Sequence, residues 1–506
     1  MQASRVALTG LGYKGKDFFV TINGMLEDIR KERIKKLEQL KSAGVDPYPA
    51  GVARTHSIAE VLEDFSKFSK SKKALSVVGR VVGLRNQGSL FFVDLQDESG
   101  KLQLVGKKDN LDNFELWQQT VDIGDFVECR GVPFVTKRGE KSIEAKQFRI
   151  VTKSLRPAPF GFYDIKDVET VLRKRYLDLM VHPEARELFR KKNVFWGAIR
   201  SFLINEGFLE VETPVLELVP GGADAEPFVT HHKALNTDLY LRISLELPLK
   251  RLVVGGYEKV FEIGRIFRNE GIDAEHLQDY TQMELYWAYH DYEDLMKFIE
   301  KVYKEVIKKT VGALKTQRGD QLIDWSKKWS VIDYFTIFKK ETGLDLNIVT
   351  DGELRAYGKK QGLEVDKHPG RGRVIDLIFK KIRHALVQPC FLINPPVDVE
   401  PLAKRTEPGA NKVARFQIIA AGTELGKGFS ELNDPLDQRA RFEEQMRLRE
   451  QGDKEAQRLD EDFLEALEYG MPPTAGFGMS ERLFAVLMDR PVRETVFFPL
   501  MKAKRD

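Results

Sequence analysis

Residues 259–295, KVFEIGRIFRNEGIDAEHLQDYTQMELYWAYHDYEDL, decide how the rest of the chain is read. They run strand, polar loop, strand, the pattern of an antiparallel hairpin with a long connection. Alternation of period two puts Phe261, Ile263 and Phe267 on one face of the first strand and Glu262, Gly264 and Arg268 on the other. In the second strand Met283, Leu285, Trp287 and Tyr289 share a face opposite Gln282, Glu284 and Tyr286. Each strand therefore has an apolar side for packing and a side that presents charge. Two carboxylates and an arginine on the inner side of a half-buried hairpin are expensive to desolvate. Surface ion pairs account for each of them singly, not for the set.

Two later segments carry the same kind of signal. In RFQIIAAGTELGKGFSELNDP, residues 415–435, the glycines at 422, 426 and 428 let backbone approach a ligand closely. Glu424 and Glu431 stand seven apart, on opposite faces of an uninterrupted strand, and converge only across a bend or bulge. In PPTAGFGMSERLFAVLM, residues 472–488, a glycine-rich strand turns into an apolar helix with Ser480 as N-cap and Arg482 in the first turn. An arginine there opposes the helix dipole, which points to an anionic ligand. Upstream, a helix from Pro183 stripes Leu188, Phe195, Ile199 and Phe202 along one side. Gly207 ends it, and FLEVETPVLE follows as a strand.

The N-terminal part has a different texture. Residues 1–24 read as an irregular extension broken by Gly10, Gly12, Gly15 and Gly24, and 26–43 as a charged helix stopped by Gly44, Pro47 and Pro49. Its basic residues read singly as a solvated face. Over 75–153, short β-rich runs alternate with turn clusters: three strands, a helix near 111–120, then two more strands. That order is an OB-type barrel, and Arg80, Arg85, Lys101, Lys107 and Lys108 with Phe91 and Phe92 are the mixture that unstacked bases and phosphates require. The Pro/Gly-rich SLRPAPFGFYDIKD opens a linker over 154–182. The chain thus divides into an extension (1–24), a helical segment (25–74), the barrel (75–153), the linker (154–182) and an α+β domain (183–506).

Composition sets the outer bounds. With 506 residues, 42% hydrophobic and 31% charged, the chain has mass for about three domains. Lys+Arg 80 against Asp+Glu 77 leaves +3, so any nucleic-acid partner must be held by a local basic face. Cys129 and Cys390 form no CxxC pattern, which excludes a zinc ribbon or a disulfide framework and suits a reducing, cytoplasmic setting. No apolar run approaches the roughly 18 residues of a membrane span.

These segments, with residues 208–264 before them, resemble a class II lysyl-tRNA synthetase over about 26–502. FLEVETP resembles motif 1, FRNEG with the strand after it motif 2, and GFGMSER motif 3. PGGA, YLRI, LKRLVVGG and FSELNDP make the likeness specific. The resemblance implies a multidomain α+β chain: an N-terminal OB barrel followed by a class II antiparallel-sheet catalytic domain flanked by helices. It implies ATP-dependent attachment of L-lysine to tRNA(Lys) through a lysyl-adenylate, releasing AMP and pyrophosphate, with Mg²⁺ accompanying ATP. It also implies a homodimer through the catalytic domain.

Carried over residue by residue, Arg268 and Arg482 are the catalytic residues. Lysine is contacted by Gly222, Glu246, Arg268, Glu284, Tyr286, Lys427, Phe429 and Glu431. ATP is contacted by Arg268, Glu270, His276, Leu277, Tyr280, Glu424 and Arg482. Glu424 and Gln417 are at the metal positions, and Arg85, Phe92, Gln103 and Glu140 read the anticodon. The carboxylates of this closed site are expected to be unpaired, so that a substrate without a distal cation is rejected.

The sequence departs from the family pattern at several positions. Gln417 stands where a second metal-binding Glu is usual, Lys427 where an Asn touches the amino acid, Glu275 at an often basic position, and Leu277 at an Asn. Motif 3 is one residue short, and Met25 opens the helix that resembles the family's usual start. The rival readings are aspartyl- or asparaginyl-tRNA synthetases, whose side-chain pockets Glu246 and Glu431 contradict. A barrel-less relative that modifies a translation factor, and a catalytically silent RNA-binding paralogue, are the others.

Overall fold

The computed structural model describes residues 15–159, 167–271, 277–365 and 370–503, with side chains from Gly24 onward. The chain folds as two compact units, Met1–Val181 and His182–Asp506. In the first, β1 (Leu75–Gln87), β2 (Leu90–Gln96), β3 (Lys101–Lys107), β4 (Phe126–Val135) and β5 (Lys141–Thr152) close into a barrel in the order β1-β2-β3-β5-β4, as expected of an OB fold. Alternation along β2 buries Phe91, Val93 and Leu95 and turns Phe92 and Asp94 outward. Phe91 stacks on Phe114 and meets Phe148 edge-on, so it is core and not a base-binding ring.

The N-terminal helix runs Gly15–Ser42, straight through Gly24, where the sequence reading has an irregular extension. One interior glycine costs a helix only about 1 kcal/mol, which tertiary packing outweighs. That packing is apolar at Leu40, which is fully buried in the core of this unit, and polar further up the helix. Arg33 is buried and donates to the carbonyls of Ile123 (2.9 Å), Ser154 (3.0 Å) and Arg156 (3.0 Å), and Lys36 pairs with Asp122 at 2.7 Å. Two charges read as solvated are therefore docking contacts, while Lys31 and Lys35 stay exposed beside acids of their own helix.

Beneath them Lys153, wholly buried, reaches Asp122 at 2.6 Å and Asp125 at 2.8 Å. Removing its ammonium leaves buried Asp125 without a cation and Asp122 with Lys36 and Arg33. Lys153→Met is expected to destabilise this unit by about 3–5 kcal/mol. Denaturant unfolding followed at Trp117, in the barrel core, checks this; a loss below about 1 kcal/mol would show the ammonium to be dispensable.

Within the stretch read as linker, helices Val168–Arg173 and Arg175–Val181 form. The second unit opens with helix Pro183–Asn205, which buries Phe195 and Ile199 with Phe189, Ala198 and Leu203, and leaves Leu188 and Phe202 at the rim. Its strands are β6 (Leu209–Glu210), β7 (Leu216–Glu217), β8 (Val229–His232), β9 (Thr237–Leu241), β10 (Lys259–Phe267), β11 (Asp279–Ala288), β12 (Lys315–Arg318) and β13 (Gln321–Asp324). Then follow β14 (Ser330–Asp333), β15 (Cys390–Ile393), β16 (Arg415–Ala420), β17 (Thr423–Ser430) and β18 (Thr474–Ser480). Eight of them form one sheet in the order β14-β15-β16-β17-β18-β11-β10-β6, antiparallel except at its two ends.

The hairpin pairs β10 with β11 in register, Glu262 opposite Glu284. Phe261, Met283 and Leu285 pack under helices Pro183–Asn205 and Tyr292–Val311, while Val260, Ile266 and Tyr286 join a second core with Phe429, Phe442 and Phe463. The hairpin is thus covered on both faces, which makes its charges costlier than the sequence reading assumed. Three local expectations change. FLEVETPVLE is not one strand, because Glu262 captures the amide (3.1 Å) and hydroxyl (2.7 Å) of Thr213 and turns the chain between β6 and β7. Tyr289 leaves the apolar face: β11 ends at Ala288, and Tyr289 sits at φ +64°, exposed. Helix Arg482–Leu487 is capped at Glu481 rather than Ser480, although Ser480 Oγ accepts the Arg482 amide at 3.4 Å.

Candidate active site

Arg268 emerges at the end of β10, held by its amide to the Gln278 carbonyl (2.8 Å) and by Nε to the Ile243 carbonyl (3.2 Å). Its guanidinium lies 5.7 Å from the Tyr280 ring centre. Because β11 pairs with β18, Gln282 opposite Ser480, the hairpin is brought beside Arg482. A cleft results, lined by Arg268, Glu270, Leu277, Tyr280, Arg482 and Val492. Burial works against the Arg268 cation, and Tyr280, Glu270, Glu284 and Asp224 more than offset it. Buried Glu481 anchors the corner, accepting Lys192 Nζ at 2.6 Å and the Thr281 amide at 3.1 Å. Two arginines, an aromatic ring and an apolar wall of Leu277 and Val492 suit a polyanion that ends in a flat base. His276 and Glu275 lie outside the described residues.

Behind the cleft is an acidic pocket. The two facing carboxylates of the hairpin have different fates. Glu262 is consumed by Arg242 (2.7 Å) and Thr213. Glu284 accepts from Ser244 Oγ (2.7 Å), the Leu245 amide (3.0 Å), Gln282 Nε2 (2.6 Å) and the Tyr286 hydroxyl (3.0 Å), and still faces inward. Gly222, at φ +81°, has no room for a side chain: a Cβ would lie 2.9 Å from that of Glu246 and 3.0 Å from that of Ser244.

Glu246 and Glu431 are not unpaired as expected. Lys250, one helical turn after Glu246 and fully buried, places Nζ 2.5 Å from Glu246 Oε1 and also against Glu431 Oε2, over the Phe429 ring. Glu431 Oε1 is buried without a hydrogen-bond donor among the described residues, beside Tyr286 and Gly476. Burial pushes Glu246 up to about 7 and Glu431 well above its ordinary range, with Lys250 pulling both the other way. Two carboxylates share one resident cation, so the cluster is net negative when both are ionised.

The condition for Glu424 to join this face is met. A bulge where Ile418 pairs with Gly426 and Ile419 with Glu424 leaves Leu425 extra and resets the alternation. Glu424 then accepts Gln417 Nε2 at 2.7 Å. Among the described residues no group of three or more His, Cys, Asp or Glu is placed to hold a metal. One carboxylate and one amide oxygen fit a hard cation that takes its other oxygens from phosphates and water. Lys427 is engaged with Glu400 Oε2 at 2.8 Å.

With this geometry in view, the comparisons with known proteins are direct. A family model described as tRNA synthetases class II (D, K and N) matches residues 167–502, and an OB-fold nucleic acid binding domain matches 75–151. The lysine–tRNA ligase of Moorella thermoacetica is 45% identical over 486 residues, covering 95% of this chain and 99% of that protein. Those of Staphylococcus saprophyticus and Thermotoga maritima are 41% and 40% identical, each over 95% of this chain and at least 97% of their own length. The chain belongs to the class II lysine–tRNA ligase family.

In the barrel, Arg85 pairs across strands with Phe92, and Asp94 with Gln103, so Arg85, Phe92 and Gln103 share the outer face. The Arg85 guanidinium is 5.8 Å from the Phe92 ring centre, Gln103 Oε1 accepts Ser142 Oγ at 3.0 Å, and Glu140 is exposed at the turn into β5. Basic residues of the segment have partners within the barrel: Arg85 pairs with Asp94 at 3.4 Å, Arg80 donates to the Gly124 carbonyl, and Lys107 and Lys108 pair with Glu144 and Glu115.

Several residues that build the site were missed in the sequence. Lys250 stands four after Glu246, an i,i+4 pair that could have been found once the helix was placed. Ser244 directly follows the quoted YLRI run. Lys192, Glu481 and Glu400 meet their partners only through the fold and leave no local signal.

Proposed function

We infer that the chain joins L-lysine to tRNA in two steps at this site. The lysine carboxylate attacks the α-phosphate of ATP, giving lysyl-adenylate and pyrophosphate. A ribose hydroxyl at the tRNA 3′ end then attacks the adenylate carbonyl, giving the lysyl ester and AMP. The observation that carries the reading is the buried pair Glu246 and Glu431, which share the ammonium of Lys250 while Glu431 Oε1 has no donor among the described residues. A lysine side chain supplies the missing cation; aspartate and asparagine do not.

Arg268 holds carboxylate and α-phosphate together and stabilises the charge that develops between them, and Arg482 and Tyr280 sandwich the adenine. Glu284 takes the α-ammonium, with the Gly222 backbone beside it. Leu277 and Glu270 border the nucleotide, and His276 is assigned to its outer phosphates. Glu424, oriented by Gln417, would hold Mg²⁺, which when bound supplies positive charge to the phosphates. Transfer of labelled lysine to tRNA transcripts tests this: acylation of a lysine-anticodon transcript is expected, and acylation with aspartate in its place would overturn the assignment.

Exposed Ile204, Leu209, Val215, Leu216, Leu218 and Val229 gather along helix Pro183–Asn205, the strands after it and the small sheet of β7–β9, and support an isologous homodimer through the catalytic domain. Light scattering is expected to give twice the 58.0 kDa chain mass, and an active particle of chain mass at micromolar concentration would contradict it. Among the described residues no helix is long and apolar enough to cross a membrane; a cytoplasmic place is proposed from kinship with lysine–tRNA ligases.

The anticodon of tRNA(Lys) is placed on the outer barrel face, with Phe92 stacking on a base, Arg85 on base or phosphate, and Gln103 and Glu140 on base edges. Since Phe91, not Phe92, fills the core, Phe92→Ala is expected to raise KM for tRNA by roughly 1–3 kcal/mol without altering lysine-dependent pyrophosphate exchange. Early melting, or parallel loss of exchange, would make Phe92 structural instead.

A further inference from the structure

We infer that Glu400 is a specificity-determining, positioning residue of the lysine pocket: it holds the Lys427 ammonium away from the space that the substrate's side-chain ammonium enters. This rests on the reading of the pocket as a lysine site. Strand pairing sets out the floor of that pocket in rows. Gln417, Lys427, Gly478 and Glu284 are successive partners across β16, β17, β18 and β11. Lys427 and Glu284 are thus two strands apart, about 10 Å, with a glycine between them. An unrestrained ammonium on Lys427, whose side chain is 37% exposed, would stand on the same floor as the carboxylates that receive lysine.

Glu400 prevents this. It is buried, and its Oε2 is 2.8 Å from Lys427 Nζ and 3.5 Å from Arg415 Nε. Its place is tied to that of Glu431, because the Leu432 amide donates to the Leu402 carbonyl at 3.0 Å and Ala403 bridges Glu431. The same backbone ladder therefore positions the acid that receives the substrate cation and the acid that sequesters the resident one. Burial pushes the Glu400 carboxyl up, but Lys427 and Arg415 hold it below its ordinary range, so the pair is ionic. Lys427 also feels Glu246. With Glu400 neutralised, Asp224 and Glu246 are the acids left to attract Lys427, and at Glu246 it competes with the substrate.

The test is a double-variant cycle read by lysine-dependent ATP–pyrophosphate exchange on the full chain. Glu400→Gln is expected to raise KM for lysine at least tenfold, with kcat and KM for ATP within about threefold of the parent. Lys427→Asn is expected to lower KM for lysine several-fold, since it frees an anion near the ammonium. Glu400→Gln with Lys427→Asn is expected to return KM to near the parent value, a rescue that a merely structural role of Glu400 does not give. An unchanged KM in Glu400→Gln, or a double variant no better than it, overturns the inference while leaving the lysine-site reading intact. If Glu400→Gln melts early, Lys427→Asn decides: a raised KM would mean that Lys427 touches lysine directly and overturns the inference. A parent chain that exchanges pyrophosphate without any response to lysine overturns the site reading and this inference with it.

Discussion

Arg268→Ala is expected to lower kcat/KM for lysine-dependent ATP–pyrophosphate exchange by roughly 10²–10³-fold, the range for removing one preorganised donor from a developing anion. The expectation rests on how firmly the guanidinium is placed. Its Nε is tied to the Ile243 carbonyl at 3.2 Å, its backbone is locked across the hairpin to Gln278 at 2.8 Å, and its face lies 5.7 Å from the Tyr280 ring centre. Little reorganisation remains to be done when the two anions of lysine and ATP arrive. The loss is expected in kcat as well as KM, because the charge it meets grows in the transition state. A variant with parent kcat and only a raised KM would show that Arg268 binds substrate without stabilising the reaction.

Glu246→Gln is expected to cost roughly 2–5 kcal/mol in kcat/KM for lysine, with KM for ATP little changed. Glutamine still accepts a hydrogen bond from Lys250, so the helix is preserved. What disappears is a charge: Lys250 is left to neutralise Glu431 alone, and no anion remains for the substrate's side-chain ammonium. The same site carries a pH dependence. Burial holds the Glu246 carboxyl up to about 7, and a second ammonium favours its ionised form. Lysine binding therefore releases a proton below that point, and KM for lysine is expected to fall as pH rises towards 7 and to level off above it. In Glu246→Gln this slope is expected to shrink. A variant with the parent's lysine KM across the same pH range would remove Glu246 from the pocket.

The hairpin that organises the site was legible because period-two alternation survives in its sequence, and the barrel because its short strands are separated by clear turn clusters. What sequence could not show is which charge is spent on which partner. Glu262 and Glu284 read alike and stand opposite each other, yet Arg242 and Thr213 consume the first, while Ser244 and Tyr286 orient the second. Lys250 was overlooked because a lysine on a helix reads as surface, whereas here two acids from distant segments enclose it. The bulge at Leu425 decides which face Glu424 occupies; glycines hinted at it, but only strand pairing locates it. The extension of the first helix through Gly24 was missed because a glycine's local cost is visible in sequence and the compensating contacts of Arg33 are not.

The central claim is that this pocket selects a substrate by its distal ammonium and activates it with ATP. The most direct test is amino-acid-dependent exchange of pyrophosphate into ATP, run in parallel with lysine, aspartate and asparagine and without tRNA. Exchange with lysine at least a hundredfold above that with the other two is the result the account predicts. Exchange driven by aspartate or asparagine, or none with lysine, would contradict it.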